Sequence, residues 1–358
     1  MTTEIDDEAL VRDAVLAHWP GWETATIAPL PGGLINRTLL LTRGATRAVL
    51  QRVSAVFSPR IHENIAAVTA RLADAGLATP RLVPTRAGAL YVDIEAAGGV
   101  WRMLTHVEGV AFDAVEDARQ ARAAGSLIAR FHAALDGLAH EFVGRRANVH
   151  DTPAHLARLR DAVAAGGGHR LAREVGELAR AIDAGAAALP SLPAMEPRVA
   201  HGDLKFSNVL FADHEPPASE IAVCLIDLDT VGPLSLAYEL GDAWRSWCNR
   251  AGEDAENARL DLDVLRASVE GYRAGWGKPL DGETRRALLL GVEWVSVELA
   301  ARFAADALAE SYFGWDARRF PSRGDHNLVR ARGQWSLHEA LVASRGERAR
   351  ILDEALGR

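Results

Sequence analysis

The segment His201-Gly-Asp203-Leu-Lys-Phe-Ser-Asn208 sets a carboxylate and an amide oxygen five residues apart, and Asp227-Leu-Asp229 follows nineteen residues past Asn208. Phosphoryl transfer asks a protein mainly for positioning and charge neutralisation. It needs a carboxylate beside the attacking hydroxyl and oxygen ligands that hold Mg²⁺ against phosphates. Asp203 can supply the base, and Asn208 and Asp227 the metal oxygens. Alone, an Asp-x₄-Asn is an ordinary surface loop, and His-Gly-Asp can be a turn with an Asx-type cap. The joint pattern, with Asp227 closing an apolar run (Ala222, Val223, Leu225, Ile226), points to a catalytic loop facing a metal-binding aspartate. His201 reads as structural, bonding to backbone near Asp227. Lys205 either neutralises phosphate charge or is solvated. Asp229 is a second metal or substrate ligand, or a strand-end cap.

These residues need elements to hold them. Residues 38–42, 47–53, 88–92 and 100–107 are short apolar runs bounded by turn residues and read as strands. Ile61, Ile65, Val68 and Leu72 fall on one helical face ending near Gly76. After Gly109 the pattern turns helical. Residues 116–139 carry one apolar stripe, 153–189 break at Gly166-Gly-Gly168, and 283–309 form a long helix, with a β-rich island at 198–232 between them. The expected fold is α+β, protein-kinase-like and two-lobed: a β-rich N-lobe over 1–105 carrying the nucleotide, and a mostly helical C-lobe over 106–358 carrying the catalytic loop and the acceptor site.

Bulk properties restrict the partners. The chain has 358 residues, 49% hydrophobic and 25% charged, with a net charge of −8. That balance gives no basic field for a nucleic-acid backbone. The acidic start lacks signal-peptide regions, and no apolar run approaches the roughly 20 residues a membrane span needs. Cys224 and Cys248 have neither metal-type spacing nor a disulfide framework, so a cytoplasmic setting is expected.

The HGDxxxxN loop, the apolar IDxD strand, the helix Leu127-Ile-Ala-Arg-Phe-His-Ala-Ala-Leu135 and the segment Glu239-Leu-Gly-Asp242 resemble the aminoglycoside phosphotransferase and choline kinase superfamily over about residues 25–340. Further stretches resemble its N-acetylhexosamine 1-kinases. They are Gly33-Leu-Ile-Asn-Arg-Thr38, Val49-Leu-Gln-Arg-Val53, Gly99-Val-Trp-Arg102, His150-Asp-Thr-Pro153, Glu298-x₃-Arg302-Phe-x₂-Asp306, Tyr312-Phe313 and His326-Asn-Leu-Val-Arg330. The resemblance implies ATP and Mg²⁺ as cofactors and a sugar or amino-sugar acceptor phosphorylated at its anomeric hydroxyl. It implies that Thr230, Arg302 and Tyr312 touch that sugar. Arg offers a rigid fork of donors and Tyr an apolar face with a polar tip. Without the resemblance, Arg302 reads as an i,i+4 partner of Glu298 and Tyr312 as packing.

The nucleotide side departs from the kinase pattern. The strand that usually carries a phosphate-pairing Lys reads Val49-Leu50-Gln51-Arg52, and alternation lets only one of Gln51 and Arg52 face the nucleotide. Gly32, Gly33 and Asn36 offer a phosphate loop, or a plain hairpin turn. Adenine is expected against the backbone of Met103, Thr105 and Val107. An aminoglycoside or amino-alcohol kinase is the alternative activity, and a silent binding module the remote one.

Overall fold

The computed structural model describes residues 8–30, 36–145 and 149–357. The expected phosphate-loop residues Gly32 and Gly33 lie outside them. Alternating apolar residues over 37–52 form β2 (Arg37–Arg43) and β3 (Thr46–Arg52), joined by a turn at Gly44. β1 (Thr26–Pro29), β4 (Val92–Ile94) and β5 (Gly99–Thr105) complete an antiparallel sheet of order β1-β2-β3-β5-β4. One face packs on the N-terminal helical segment, which begins with α1 (Glu8–Leu10), in a core of Val15, Leu16, Trp19, Leu41, Leu50 and Met103. Helix α2 (Ile61–Asp74) buries Ile61, Ile65, Val68 and Leu72 as the spacing predicts.

One strand expectation is corrected, and one strand of this sheet is additional to those expected. Residues 88–91 are a turn instead of a strand: Gly88 takes φ 80°, Thr85 and Ala89 close on each other, and only Val92–Ile94 pairs with β5. β1 went unforeseen because Thr26–Pro29 buries one residue of four.

Beyond β5, residues 106–109 have no regular structure, and β6 (Val110–Ala111) begins a small sheet with β8 (Val209–Phe211) and β9 (Ala222–Leu225). β7 (Arg198–Ala200) pairs with β10 (Gly232–Leu234). Helices α3 (Ala118–Leu135), α4 (Thr152–Ala165), α5 (Ala172–Ala188), α6 (Leu236–Trp247), α7 (Leu262–Trp276), α8 (Gly282–Ala309), α9 (Arg323–Ala343) and α10 (Arg345–Leu356) surround them. α8 buries residues all around its circumference, as a helix inside a helical body must. The result is a mixed α+β, protein-kinase-like fold: a β-sheet N-terminal part above a helical C-terminal part.

Candidate active site

A cavity of about 580 Å³ opens between the two parts, and Asp203, Asp227, Asp229 and Thr230 line it together with Arg302 and Tyr312. The catalytic-loop segment is held from below. Glu239 on α6 is 1% exposed, and its carboxylate accepts the backbone N–H groups of His201 at 2.7 Å and Gly202 at 2.9 Å. Burial would push this carboxyl up, but His132 and those amides hold it below its usual range. Gly202 takes φ 80°, and a Cβ there would come within 2.8 Å of the Thr230 carbonyl. The loop can run this close to the metal-side segment only because position 202 has no side chain. His201 bonds the Ile226 carbonyl at 2.8 Å, and Thr230 donates to the His201 carbonyl at 2.8 Å. The two chemical segments are thus stitched to each other directly.

Asp203 Oδ2 accepts from Lys205 Nζ at 3.0 Å and from Asn208 Nδ2 at 3.2 Å, and neither Oδ1 of Asp203 nor Oδ1 of Asn208 has a partner among the described residues. Asp227 sits in the left-handed region at φ 64°, a conformation uncommon for non-glycine residues though one that aspartate adopts more readily than most. Burial pushes its carboxyl up, and the nearby Asp229 and Asp203 carboxylates add to this, while Lys205 at 3.8 Å opposes it. Burial disfavours the Lys205 ammonium, but Asp203 and Asp227 keep it above its ordinary value. Among the described residues no three His, Cys, Asp or Glu side chains could hold a metal ion by themselves. The hard oxygens of Asn208 and Asp227 nevertheless fit Mg²⁺, which keeps waters and phosphate oxygens and needs few protein ligands.

Asp229 behaves differently. It is 6% exposed, and Arg102 of β5 approaches its Oδ1 at 2.5 Å while Asn36 Nδ2 donates to its Oδ2 at 2.7 Å. Burial would raise this carboxyl, and Arg102 instead holds it low. Asn36, expected at phosphate, therefore spends its side chain between Asp229 and the Ser54 amide.

The remaining nucleotide-side expectations divide. Gln51 points toward this cluster, accepting both Nε and Nη2 of Arg102. Arg52 lies on the opposite face with its guanidinium over Gly98, so it is withdrawn as a nucleotide contact by the period-two alternation of β3. Met103 is also corrected: it is fully buried in the core on the far face, and its carbonyl already accepts Val83 N–H at 2.8 Å. Thr105 is engaged with Arg81 through both N–H and Oγ1. Val107 alone of the three lies in the irregular segment 106–109.

At the far end of the cavity, Arg302 on α8 stands 3.8 Å from Glu298 and over the Phe313 ring at 5.5 Å. Tyr312 is 54% exposed and packs edge-on to Phe313. Asp306 shapes this wall by accepting the N–H groups of Ser311, Tyr312 and Phe313 and the Asn327 amide. Glu298 is buried, taking Thr152 Oγ1 at 2.9 Å and His150 Nδ1 at 3.3 Å. His150, itself in the cavity wall, stacks on Tyr238 at 4.8 Å.

Arg102 and Glu239 were not legible as site residues. Arg102 stands in a motif, but its importance depends on strand register. Glu239 reads as a pocket carboxylate and is in fact a backbone anchor beneath the loop.

Fold and site together define a two-lobed, kinase-like phosphotransferase. The sequence profile of the phosphotransferase enzyme family (APH) matches residues 26–321, and the chain belongs to that family. It is a small-molecule phosphotransferase. Among solved structures it is similar to a microcompartment-associated aminopropanol kinase, with 18% identity, TM-score 0.63, and 94% of this chain and 98% of the other covered. An aminoglycoside phosphotransferase from Alicyclobacillus acidocaldarius matches at 18% identity and TM-score 0.56, covering 91% and 98%. An amicoumacin kinase solved with AMP-PNP and Ca²⁺ matches at 13% identity and TM-score 0.55, covering 88% of each chain. Among the described residues, no helix is long and apolar enough to cross a membrane.

Proposed function

We propose that the protein transfers the terminal phosphoryl group of ATP, with Mg²⁺, to the anomeric hydroxyl of an N-acetylhexosamine or related sugar, giving the sugar 1-phosphate. Asp203 Oδ1 takes the hydroxyl proton, since Oδ2 is already occupied by Lys205 and Asn208. Asn208 and Asp227 would hold Mg²⁺, which when bound neutralises charge on the phosphates. Lys205 stands 3.0 Å from Asp203 and 3.8 Å from Asp227 and offers positive charge to the phosphates, and adenine rests against residues 106–107. The lobe boundary is placed at 105/106 and the setting is taken as cytoplasmic.

The acceptor reading is carried by one observation: the carboxylates at the acceptor end already have partners. Asp242 accepts Arg245 Nε at 3.0 Å, Asp306 is saturated by backbone amides and Asn327, and Glu298 faces His150 and Thr152. A polyamine acceptor needs unpaired carboxylates, whereas a neutral sugar uses aromatic faces and an Arg fork. Arg302, Tyr312 and Phe313 offer these, with Thr230 at the cavity floor.

Mg·ATP turnover against N-acetylglucosamine, N-acetylgalactosamine, free hexoses, glucosamine and kanamycin decides between a sugar and a polyamine acceptor, with product NMR locating the phosphate. A preference for kanamycin sinks the sugar reading. Arg302→Ala is expected to raise the sugar KM about tenfold and leave the ATP KM unchanged, the signature of a lost ground-state contact of about 1.4 kcal/mol.

A further inference from the structure

The strand position that faces the cleft on β3 carries a neutral side chain, Gln51, and its register partner on β5 carries a cation, Arg102. The guanidinium is 2% exposed, with two of its nitrogens hydrogen-bonded and the third in an ion-pair contact. Nε and Nη2 donate to Gln51 Oε1 at 2.9 and 2.8 Å, and Nη1 meets Asp229 Oδ1 at 2.5 Å. Gln51 is fixed in turn by donating to Thr38 Oγ1 at 3.1 Å. His62 lies beside this pair, stacked on Tyr91, and burial with Arg102 pushes its imidazole down to about 4. His62 is therefore neutral at physiological pH and leaves the Asp229 charge to Arg102.

Asp229 is two residues from Asp227, and the turn between them starts from Asp227 in the left-handed region, which aspartate tolerates better than most non-glycine residues. Where the turn sits in the molecule is set by its contacts outside itself. Apolar side chains of similar volume would join sheet and turn with no loss of stability, but they would not fix where the turn sits. A forked cation bonded to a fixed amide on one side and a carboxylate on the other does.

We propose that Arg102 is a positioning residue. Braced on Gln51, it holds the Asp227-Leu228-Asp229 turn against the N-terminal sheet and so sets where Asp227 presents its carboxylate. The inference rests on the reading of Asp227 as a metal ligand, and it puts on β5 the positive charge that the cleft-facing position of β3, Gln51, lacks. Lysine at position 102 would keep the charge, but a single ammonium cannot span Gln51 and Asp229 in the same geometry.

The experiment is calorimetric titration of Mg·ADP into wild type, Arg102→Met and Arg102→Lys. It is run beside amide hydrogen exchange over residues 226–231 and the KM values for ATP and acceptor. Loss of an outer partner of a metal ligand typically costs about 10–100-fold in metal affinity or activity. Arg102→Met is expected to weaken Mg·ADP binding within that range, to speed exchange in 226–231, and to leave the acceptor KM within about twofold. Arg102→Lys should fall between Met and wild type. Should Arg102→Met not fold, Arg102→Lys carries the test by itself. Wild-type protein indifferent to Mg·ADP would overturn the metal reading, and the inference with it. Wild-type binding that the folded variants retain in full would overturn the inference alone.

Discussion

Asp203 lines the cavity, offers Oδ2 to Lys205 and Asn208, and has no partner for Oδ1 among the described residues, which leaves an oxygen for a general base's work. Asp203→Asn preserves shape and removes basicity, so kcat should fall by roughly 10²–10⁴-fold. Mg·ADP affinity, read by calorimetry, should change little, because Asn208 and Asp227 remain. Equal turnover in the variant would mean that another group takes the proton. At this scale the sequence was informative where function depends on short spacing: Asp203, Asn208 and Asp227 stand on two nearby segments and converge as their pattern implies. It was uninformative where function depends on register. The motif Gly99-Val-Trp-Arg102 marks the strand but not the partner of Arg102, whose neighbours Trp101 and Met103 look like any buried strand. Only the pairing Gln51↔Arg102 brings the guanidinium to Asp229. The same applies to β3, where alternation left Gln51 and Arg52 as candidates: packing sets Arg52 against Gly98 and ties Gln51 to Arg102 and Thr38.

Elements explain why the loop holds its place. α6 presents Glu239 to two consecutive backbone N–H groups, a task an uncharged amide cannot fully repeat, since its NH₂ would face one of them. Glu239→Gln should therefore lower stability by about 1–3 kcal/mol, the range for leaving buried donors unsatisfied. Thermal or urea unfolding checks the size. The loss should be accompanied by lower kcat as His201-Gly202 loosens. Stability unchanged within about 0.5 kcal/mol would contradict the anchoring role. Long periodic helices were the legible elements here: α8 runs Gly282–Ala309 against an expected 283–309, and α4 and α5 separate at the glycines. Short strands were not. Residues 88–91 have an apolar run, but the Gly88 turn and the Thr85–Ala89 closure claim their backbone.

For the molecule as a whole, pH should reveal the buried pair under the acceptor wall. Burial is the largest single influence on Glu298 and raises it, but His150, His155 and Thr152 together outweigh it, so its folded value lies below its ordinary 4.5. Burial is likewise the largest single influence on His150 and lowers it, but Glu298 and Asp242 together outweigh it, so its folded value lies above its ordinary 6.5. The carboxylate contribution is present above 4.5 and is lost as pH falls through the depressed value. The imidazolium contribution is full below 6.5 and is lost as pH rises through the elevated value. The pair thus stabilises most between these limits. His150→Gln should flatten the alkaline decline of Tm beyond pH 6.5, measured as the wild-type minus variant difference across pH; parallel curves would refute the pairing. Salt should act unevenly. Exposed pairs such as Arg160–Asp183 fade when the Debye length shrinks to about 3 Å at 1 M ionic strength. The Arg102–Asp229 contact, closed to water on both sides, admits no counter-ion. The seam between sheet and catalytic segment should keep its alignment in brine after much of the surface charge lattice has dissolved.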